Sequence, residues 1–175
     1  MYKSFRRILK KNYDNQVKRK LFLKFFYNNL TDIPRIKAIE LEYYLSKPNE
    51  KQLTSAVLAL EISSLKPIIY QTKTSLDIFV KVQKGCPVCC KIVLSNKWSH
   101  FFLKRIIKNF CFSFKFSNYY QKLLSLSLST ILVDKKIKMN YLFFRQLPDL
   151  NIKIYTNCKS LEELKFLTKQ YKLFI

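Results

Sequence analysis

The sequence is poor in the segments that divide a chain or carry it through a membrane. It has one Gly and five Pro in 175 residues, and no Gly-, Ser- or Pro-rich linker interrupts it. A single domain over residues 1–175 is therefore expected. The longest uncharged stretch near the middle, Leu123 to Val133, has only eleven residues, whereas a bilayer-spanning helix needs about 20 apolar ones. The sequence therefore predicts no membrane partner.

Side chains that carry out catalysis are also scarce. The only histidine, His100, precedes two phenylalanines in a predicted helix, whereas catalysis by a histidine needs a nucleophile or carboxylate beside it. The 11 acidic residues form no cluster suited to metal or base chemistry. Glu162 and Glu163 are adjacent, but an S-x-x-E capping box that begins at Ser160 explains them. We predict that the protein is not an enzyme, with no catalytic residue and no cofactor.

The five cysteines are an odd number without a regular framework, which favours reduced thiols in an internal compartment over secreted disulfides. The CPVCC stretch at 86–90 contains a C-x-x-C that could be half of a zinc site, completed by His100, Cys111 or Cys158. A structural zinc site usually needs a second closely spaced pair, which the sequence lacks. We predict no metal, with a zinc-ribbon-like organellar nucleic-acid-binding protein as the alternative.

Positive charge is what the sequence has in excess. Thirty-three Lys and Arg against 11 Asp and Glu give a net charge of +22. A compact domain of this charge repels itself unless a polyanion neutralises it. The basic residues run along the whole chain, whereas a membrane anchor would concentrate them in one amphipathic segment. The favoured polyanion is therefore nucleic acid. Hydrophobic residues make up 49%, enough for a core and against wholesale disorder.

The amino-acid composition also indicates what kind of genome encodes the protein. There are 27 Lys but 6 Arg, and only three Ala, a bias that AT-rich codons produce. The first residues, MYKSFRRILKK, are basic and free of acids, like a mitochondrial import peptide. We expect the mitochondrial matrix as the location, and an organelle-encoded gene would account for the bias.

Periodicity predicts an α+β fold, an antiparallel-rich sheet with helices packed on one face and the other face free for a large ligand. A long basic N-terminal helix is expected in residues 1–30, because Val17, Leu21 and Phe25 repeat every four positions. Residues 72–85 are expected to form a protruding basic loop. Further helices are predicted at 50–65 (with Leu53, Val57 and Leu60 inward), at 97–110 and after Ser160, and strands at 33–42, 67–72, 88–94, 125–133, 139–144 and 150–156.

Several of these stretches also carry a family resemblance. IPRIKAIELE at 33–42, the stretch from LKPIIYQT to VCCKIVL at 65–94, FFLKRII at 101–107 and LNIKIYTNCKSLEE at 150–163 follow one another in a recognisable order. Together they resemble the bacterial-type large-subunit ribosomal protein five, the family that binds 5S rRNA. The likeness covers about residues 13–110 and 148–175, whereas 111–147 match poorly. The matching positions include Pro34, Arg35, Lys66, Pro67, Lys81, Gly85, Pro87, Cys90, Lys91, Phe102 and Arg105.

The resemblance implies a structural constituent of the large ribosomal subunit, here a diverged mitochondrial version. Its implied partners are the large-subunit rRNA of the central protuberance and neighbouring ribosomal proteins. The 72–85 loop is implied to approach P-site tRNA and a protein of the small-subunit head. Since the N-terminal helix matches the family from about Tyr13, we expect no import peptide to remain attached. The candidate RNA-binding residues are Arg35, Lys37, Lys66, Lys73, Lys81, Lys84, Lys91 and Arg105.

Three departures from the family pattern bear on 5S rRNA. Glu42, Leu65 and Val93 stand where the family has Asn, Gln and Thr. The resemblance places these positions on the side of the sheet associated with 5S rRNA. An acid repels phosphate, and Leu and Val cannot donate or accept a hydrogen bond through the side chain. We therefore predict weak or no specific binding to a bacterial-type 5S rRNA.

Overall fold

The computed structural model describes residues 16–45, 49–64, 69–72, 87–95, 97–109, 118–120 and 123–171. The helices in these ranges are α1 (Lys18–Lys24), α2 (Glu50–Ser64), α3 (Lys97–Asn109), α4 (Thr130–Val133), α5 (Lys135–Met139), α6 (Tyr141–Phe144) and α7 (Leu161–Gln170), with a 3-10 turn at Leu30–Asp32. The strands are β1 (Ile36–Tyr44), β2 (Ile69–Thr72), β3 (Pro87–Ser95), β4 (Asn118–Tyr120), β5 (Leu123–Leu128) and β6 (Leu150–Thr156). Within these ranges, no helix is both long and apolar enough to cross a bilayer.

The strands form one sheet in the order β2-β3-β1-β6-β5-β4. β2 pairs antiparallel with β3, with Ile69 opposite Lys91, and β4 pairs antiparallel with β5, with Tyr119 opposite Leu124. The predicted α+β fold with an antiparallel sheet is therefore confirmed.

Alternation of apolar residues determines which face of each strand is buried. In β6, Leu150, Ile152 and Ile154 are buried, while the residues between them are half-buried. In β1 the two-residue period slips by one after Ile36, and burial resumes at Ile39. This strand therefore departs from strict alternation near its start.

The chain divides into two compact units: residues 1–39, 94–126 and 153–175 form the first, and residues 40–93 and 127–152 form the second. In the first unit α1 contacts α7: the Lys24 ammonium nitrogen lies 4.6 Å from the centre of the Phe166 ring, and Phe25 meets that ring edge-on at 5.8 Å. In the second unit α2 contacts α5 and α6. The expectation of a single domain stays a prediction.

The long basic N-terminal helix is not confirmed. Val17 and Leu21 are buried, as their spacing predicted, but the described helix covers only Lys18–Lys24. At Phe25 the backbone becomes extended, with φ −119° and ψ 117°, which ends the helix. Residues 1–15 lie outside the described ranges.

The predicted helix at 50–65 is present, but its buried face differs from the prediction. Leu60 is buried as predicted, but Leu53 and Val57 are only half-buried, whereas Ala56, Ala59 and Ser63 are buried. The Ser63 hydroxyl donates to the Ala59 carbonyl at 2.7 Å, so its burial leaves no unsatisfied donor. A face of small side chains lets neighbouring elements approach the helix closely. The prediction relied on the spacing of large apolar residues and therefore missed this face.

In residues 125–144 one strand prediction holds only in part and another is wrong. The strand predicted at 125–133 ends at Leu128, and Thr130–Val133 is helical. The strand predicted at 139–144 is instead the end of α5 followed by α6. Val133, Ile137 and Phe144 are buried on successive short helices, and this packing outweighs the strand propensity of an aromatic-rich stretch.

The predicted capping box is present at the start of α7. The Glu163 backbone N–H donates to the Ser160 hydroxyl at 3.2 Å, and the Ser160 N–H donates to the Glu163 carboxylate at 3.4 Å. A third bond, from the Lys159 N–H to the same carboxylate at 2.7 Å, strengthens the arrangement. These bonds give Glu163 a structural role.

Candidate RNA-binding surface

Arg35 and Lys37 lie at the entrance to β1, and both side chains are exposed. Arg35 follows Pro34, whose fixed φ favours an extended chain, and precedes the buried Ile36. Two cations spaced by two residues on an extended segment point to the same side. This entrance can therefore present both charges to phosphates.

Asn157 holds the entrance to β1 in place. Its side-chain carbonyl accepts the Arg35 N–H at 2.5 Å, and its side-chain amide donates to the Ile33 carbonyl at 3.2 Å. The Asn157 backbone N–H also donates to the Arg35 carbonyl at 3.3 Å. We call this arrangement the Asn157 clamp. It fixes the backbone of Arg35 without using the guanidinium group. Sequence reasoning missed this residue.

An ion pair lies near the clamp. The Lys159 ammonium nitrogen lies 2.9 Å from an Asp32 carboxylate oxygen. Lys159 matches the family pattern, but here it pairs with an acid at an exposed position. Such exposed pairs contribute little to stability, typically below about 1 kcal/mol. Lys159 therefore mainly helps to join the segment before β1 to the segment after β6.

The other six predicted RNA-binding residues lie elsewhere in the sequence than the entrance to β1. Lys91 is half-buried on β3 and Arg105 is half-buried on α3. Arg35, Lys37 and Arg105 belong to the first unit and Lys91 to the second. The remaining candidates, Lys66, Lys73, Lys81 and Lys84, lie outside the described residues, as does all of the predicted 72–85 loop except Thr72. All eight assignments stay predictions.

Glu42 and Val93, two of the departures from the family pattern, lie on the less buried face of the sheet. Val93 is 43% exposed on β3, and Glu42 is half-buried on β1. The Cys89 thiol donates to the Glu42 carboxylate at 3.2 Å. This face therefore carries a carboxylate and an apolar side chain at the positions where the family resemblance implies polar contacts. Leu65 lies outside the described residues.

The described cysteines are buried, free thiols. Burial, together with the hydrogen bond to Glu42, raises the pKa of Cys89 to about 12. Burial likewise raises the pKa of Cys158 to about 11. Metal ligation needs the thiolate, which these environments disfavour. Among the described residues, no group of three potential metal ligands occurs, and nothing there supports the zinc-ribbon alternative.

The chain is similar to several proteins named large ribosomal subunit protein uL5. A large ribosomal subunit protein uL5 from Buchnera aphidicola is 34% identical over 94 residues, which is 51% of this chain and 52% of that protein. Proteins of the same name from Clostridium acetobutylicum and Moorella thermoacetica are 35% identical over 97 residues and 31% identical over 102 residues. These two alignments cover 53% and 57% of this chain, and 53% and 56% of the relatives. Over this half of its length, the chain is similar to proteins of the uL5 family.

The uL5 relationship confirms the resemblance read from the motifs. The chain spans about half the length of the curated uL5 relatives it matches. No protein-family model matches it. The relatives are bacterial proteins, so they do not test an organellar origin.

Proposed function

We propose that this protein is a non-enzymatic structural constituent of the large ribosomal subunit and binds rRNA there. The observation that carries the proposal is the identity of 31–35% with several proteins named large ribosomal subunit protein uL5. The expectation of a structural role rests on the similarity to uL5 proteins, because ribosomal proteins of this kind are structural and not enzymes.

The charge supplies the physical basis for binding. A net charge of +22 favours association with a polyanion, because each phosphate contact releases condensed counterions. Exposed Arg35 and Lys37, held by the Asn157 clamp, support a contact that positions the protein on the phosphate backbone. In this proposal Lys91 and Arg105 add further phosphate contacts.

The finer parts of the proposal rest on the uL5 resemblance. The protein binds in the central protuberance, and its 72–85 loop approaches P-site tRNA and a protein of the small-subunit head. Lys73, Lys81 and Lys84 give the loop and its edge the charge that such contacts require. Binding to 5S rRNA is weak, because Glu42 and Val93 face the side that would receive it.

The proposed location is the mitochondrial matrix, within the mitochondrial ribosome. The bias toward Lys over Arg and the scarcity of Ala and Gly support an AT-rich organellar gene. The test is protease protection in fractionated cells, with the protein detected by antibody. Protection in intact mitochondria that is lost when both membranes are opened is the expected result. Recovery in another compartment would overturn the location.

RNA sequencing after ultraviolet cross-linking in cells tests the binding partner. Large-subunit rRNA is expected to dominate the RNA covalently attached to the immunoprecipitated protein. Dominance of messenger RNA or small-subunit rRNA would contradict the proposal. An immunoprecipitation from cells that were not irradiated controls for RNA carried along without direct contact.

A further inference from the structure

Residues 135–145 expose an unusual set of side chains. Met139 is 85% exposed and Leu142 is 77% exposed, while Phe143 and Tyr141 are 52% and 49% exposed. Large apolar residues at such exposure usually mark a contact site when they are contiguous. The same segment carries four exposed basic residues. We call these side chains the 135–145 surface: Lys135, Lys136, Lys138, Met139, Tyr141, Leu142, Phe143 and Arg145.

Buried residues anchor this surface from below. Ile137 and Phe144 are buried, and the Phe144 ring meets the Phe143 ring edge-on, with centroids 5.0 Å apart. Asn140 joins α5 to α6, accepting the Phe143 N–H at 3.0 Å and donating its side-chain amide to the Lys136 carbonyl at 3.1 Å. The backbone that carries the exposed side chains is therefore held in place, and binding would not have to order it.

The charge of the segment favours a polyanion. Residues 135–145 contain four basic residues and no acid. The preceding acid, Asp134, is buried and caps α5 by accepting the Lys136 N–H at 2.9 Å. Lysine is depleted from the cores of protein–protein interfaces, whereas phosphate contacts use it readily. A cluster of cations beside exposed aromatic rings therefore fits RNA better than it fits a protein.

We propose that the 135–145 surface binds unpaired nucleotides of RNA. Tyr141 and Phe143 stack on bases that have left the helix, which is how proteins hold single-stranded RNA. Met139 and Leu142 fill the space beside the stacked bases, as apolar side chains do when they separate base steps. Lys136, Lys138 and Arg145 neutralise the flanking phosphates. That the RNA is rRNA rests on the proposed function. The site itself lies in the segment that resembles the uL5 family poorly.

The test measures binding of the full-length protein to two labelled RNAs at physiological salt. One is an unstructured 12-nucleotide oligouridine, and the other is a blunt duplex of similar length. Phe143→Leu keeps the apolar bulk but removes the aromatic face. Its matched control is Phe26→Leu, an exposed phenylalanine in the other unit. We expect Phe143→Leu to weaken oligouridine binding about tenfold, equivalent to about 1.4 kcal/mol, and to leave duplex binding unchanged. Phe26→Leu should change neither.

A second variant tests the cations. Lys136→Gln with Lys138→Gln should lower the slope of log affinity against log salt for oligouridine by about 0.7 per cation. Unchanged oligouridine binding in Phe143→Leu would overturn the proposal. If that variant also failed to enter large subunits in cells, the surface would belong to a protein neighbour instead. If every variant still bound the duplex in a salt-sensitive way, the proposed rRNA binding would stand even if the 135–145 surface did not bind unpaired nucleotides. Failure of this inference is therefore distinguishable from failure of the proposed function.

Discussion

At the scale of single residues, Asn157 shows how one amide side chain can position a charge that it does not touch. It satisfies a donor at Arg35 and an acceptor at Ile33, and both bonds join segments more than 120 residues apart in the chain. The Arg35 guanidinium is left exposed. An RNA contact built this way depends on the clamp for its position and on the arginine for its charge.

Asn157→Ala should lower the free energy of unfolding by about 1–3 kcal/mol, because two side-chain hydrogen bonds are lost, each contributing about 0.5–1.5 kcal/mol. Asn151→Ala is the matched control, since Asn151 is also half-buried and lies on β6, the strand that ends just before Asn157. Chemical denaturation of both variants measures the difference. Equal stability of the two variants would show that the clamp contributes nothing.

The departures at Glu42, Leu65 and Val93 predict a gain of 5S rRNA binding when they are reversed. The triple variant Glu42→Asn, Leu65→Gln, Val93→Thr should bind a bacterial-type 5S rRNA more tightly than the wild type, by on the order of a hundredfold. The gain has two causes: a carboxylate is removed and polar side chains are restored. The measurement is a titration at physiological salt, where nonspecific binding is reduced.

Glu61→Gln controls for the loss of one negative charge, because Glu61 is exposed and lies on the helix α2 instead of on a strand. It should change 5S rRNA affinity only slightly. Tight binding by the wild type, with no gain in the triple variant, would show that our interpretation of these positions is wrong.

Residue-level features were predictable from the sequence only where they are local. The Ser160 cap and its Glu163 partner are three positions apart, so a short motif identifies both. The Asn157 clamp gave no such signal, because its partners lie at the far end of the chain. The surface at 135–145 did leave a signal, four basic residues and no acid in eleven positions, but the strand assigned to it hid which side chains would be exposed.

At the scale of elements, α7 depends on its first turn. Ser160→Ala removes the side-chain acceptor for the Glu163 N–H and should destabilise the protein by about 1 kcal/mol. Ser160→Asp keeps an acceptor at the cap and should retain most of the stability. Thermal unfolding of both variants gives the comparison, with Ser127→Ala, an exposed serine on β5, as the control. A cost for Ser160→Ala no larger than for Ser127→Ala would refute the role of the cap.

Elements were predicted well where periodicity and end signals agree. β6 alternates strictly and α7 begins with a capping box, and both are present where the sequence placed them. The stretch at 139–144 failed because its residues favour strands, whereas contacts of the short helices with α2 decide their conformation. Those contacts are tertiary, and local propensity carries no information about them.

At the scale of the whole molecule, charge is the property that most constrains function. A net charge of +22 on 175 residues opposes compaction and favours a partner that supplies many phosphates. The net charge depends on composition alone, so it could be read completely from the sequence. Which rRNA segments are touched depends instead on how the cations are arranged, and this the sequence could not show.

Sedimentation of cell extracts in sucrose gradients tests the ribosomal assignment most directly. At low salt the protein should travel with the large ribosomal subunit and its rRNA, and high salt should release it, because phosphate contacts weaken steeply as salt rises. Ribonuclease treatment before centrifugation should also shift it away from the subunit fractions. The account would be contradicted if the protein sedimented as a free monomer at low salt while other large-subunit proteins stayed in the particle.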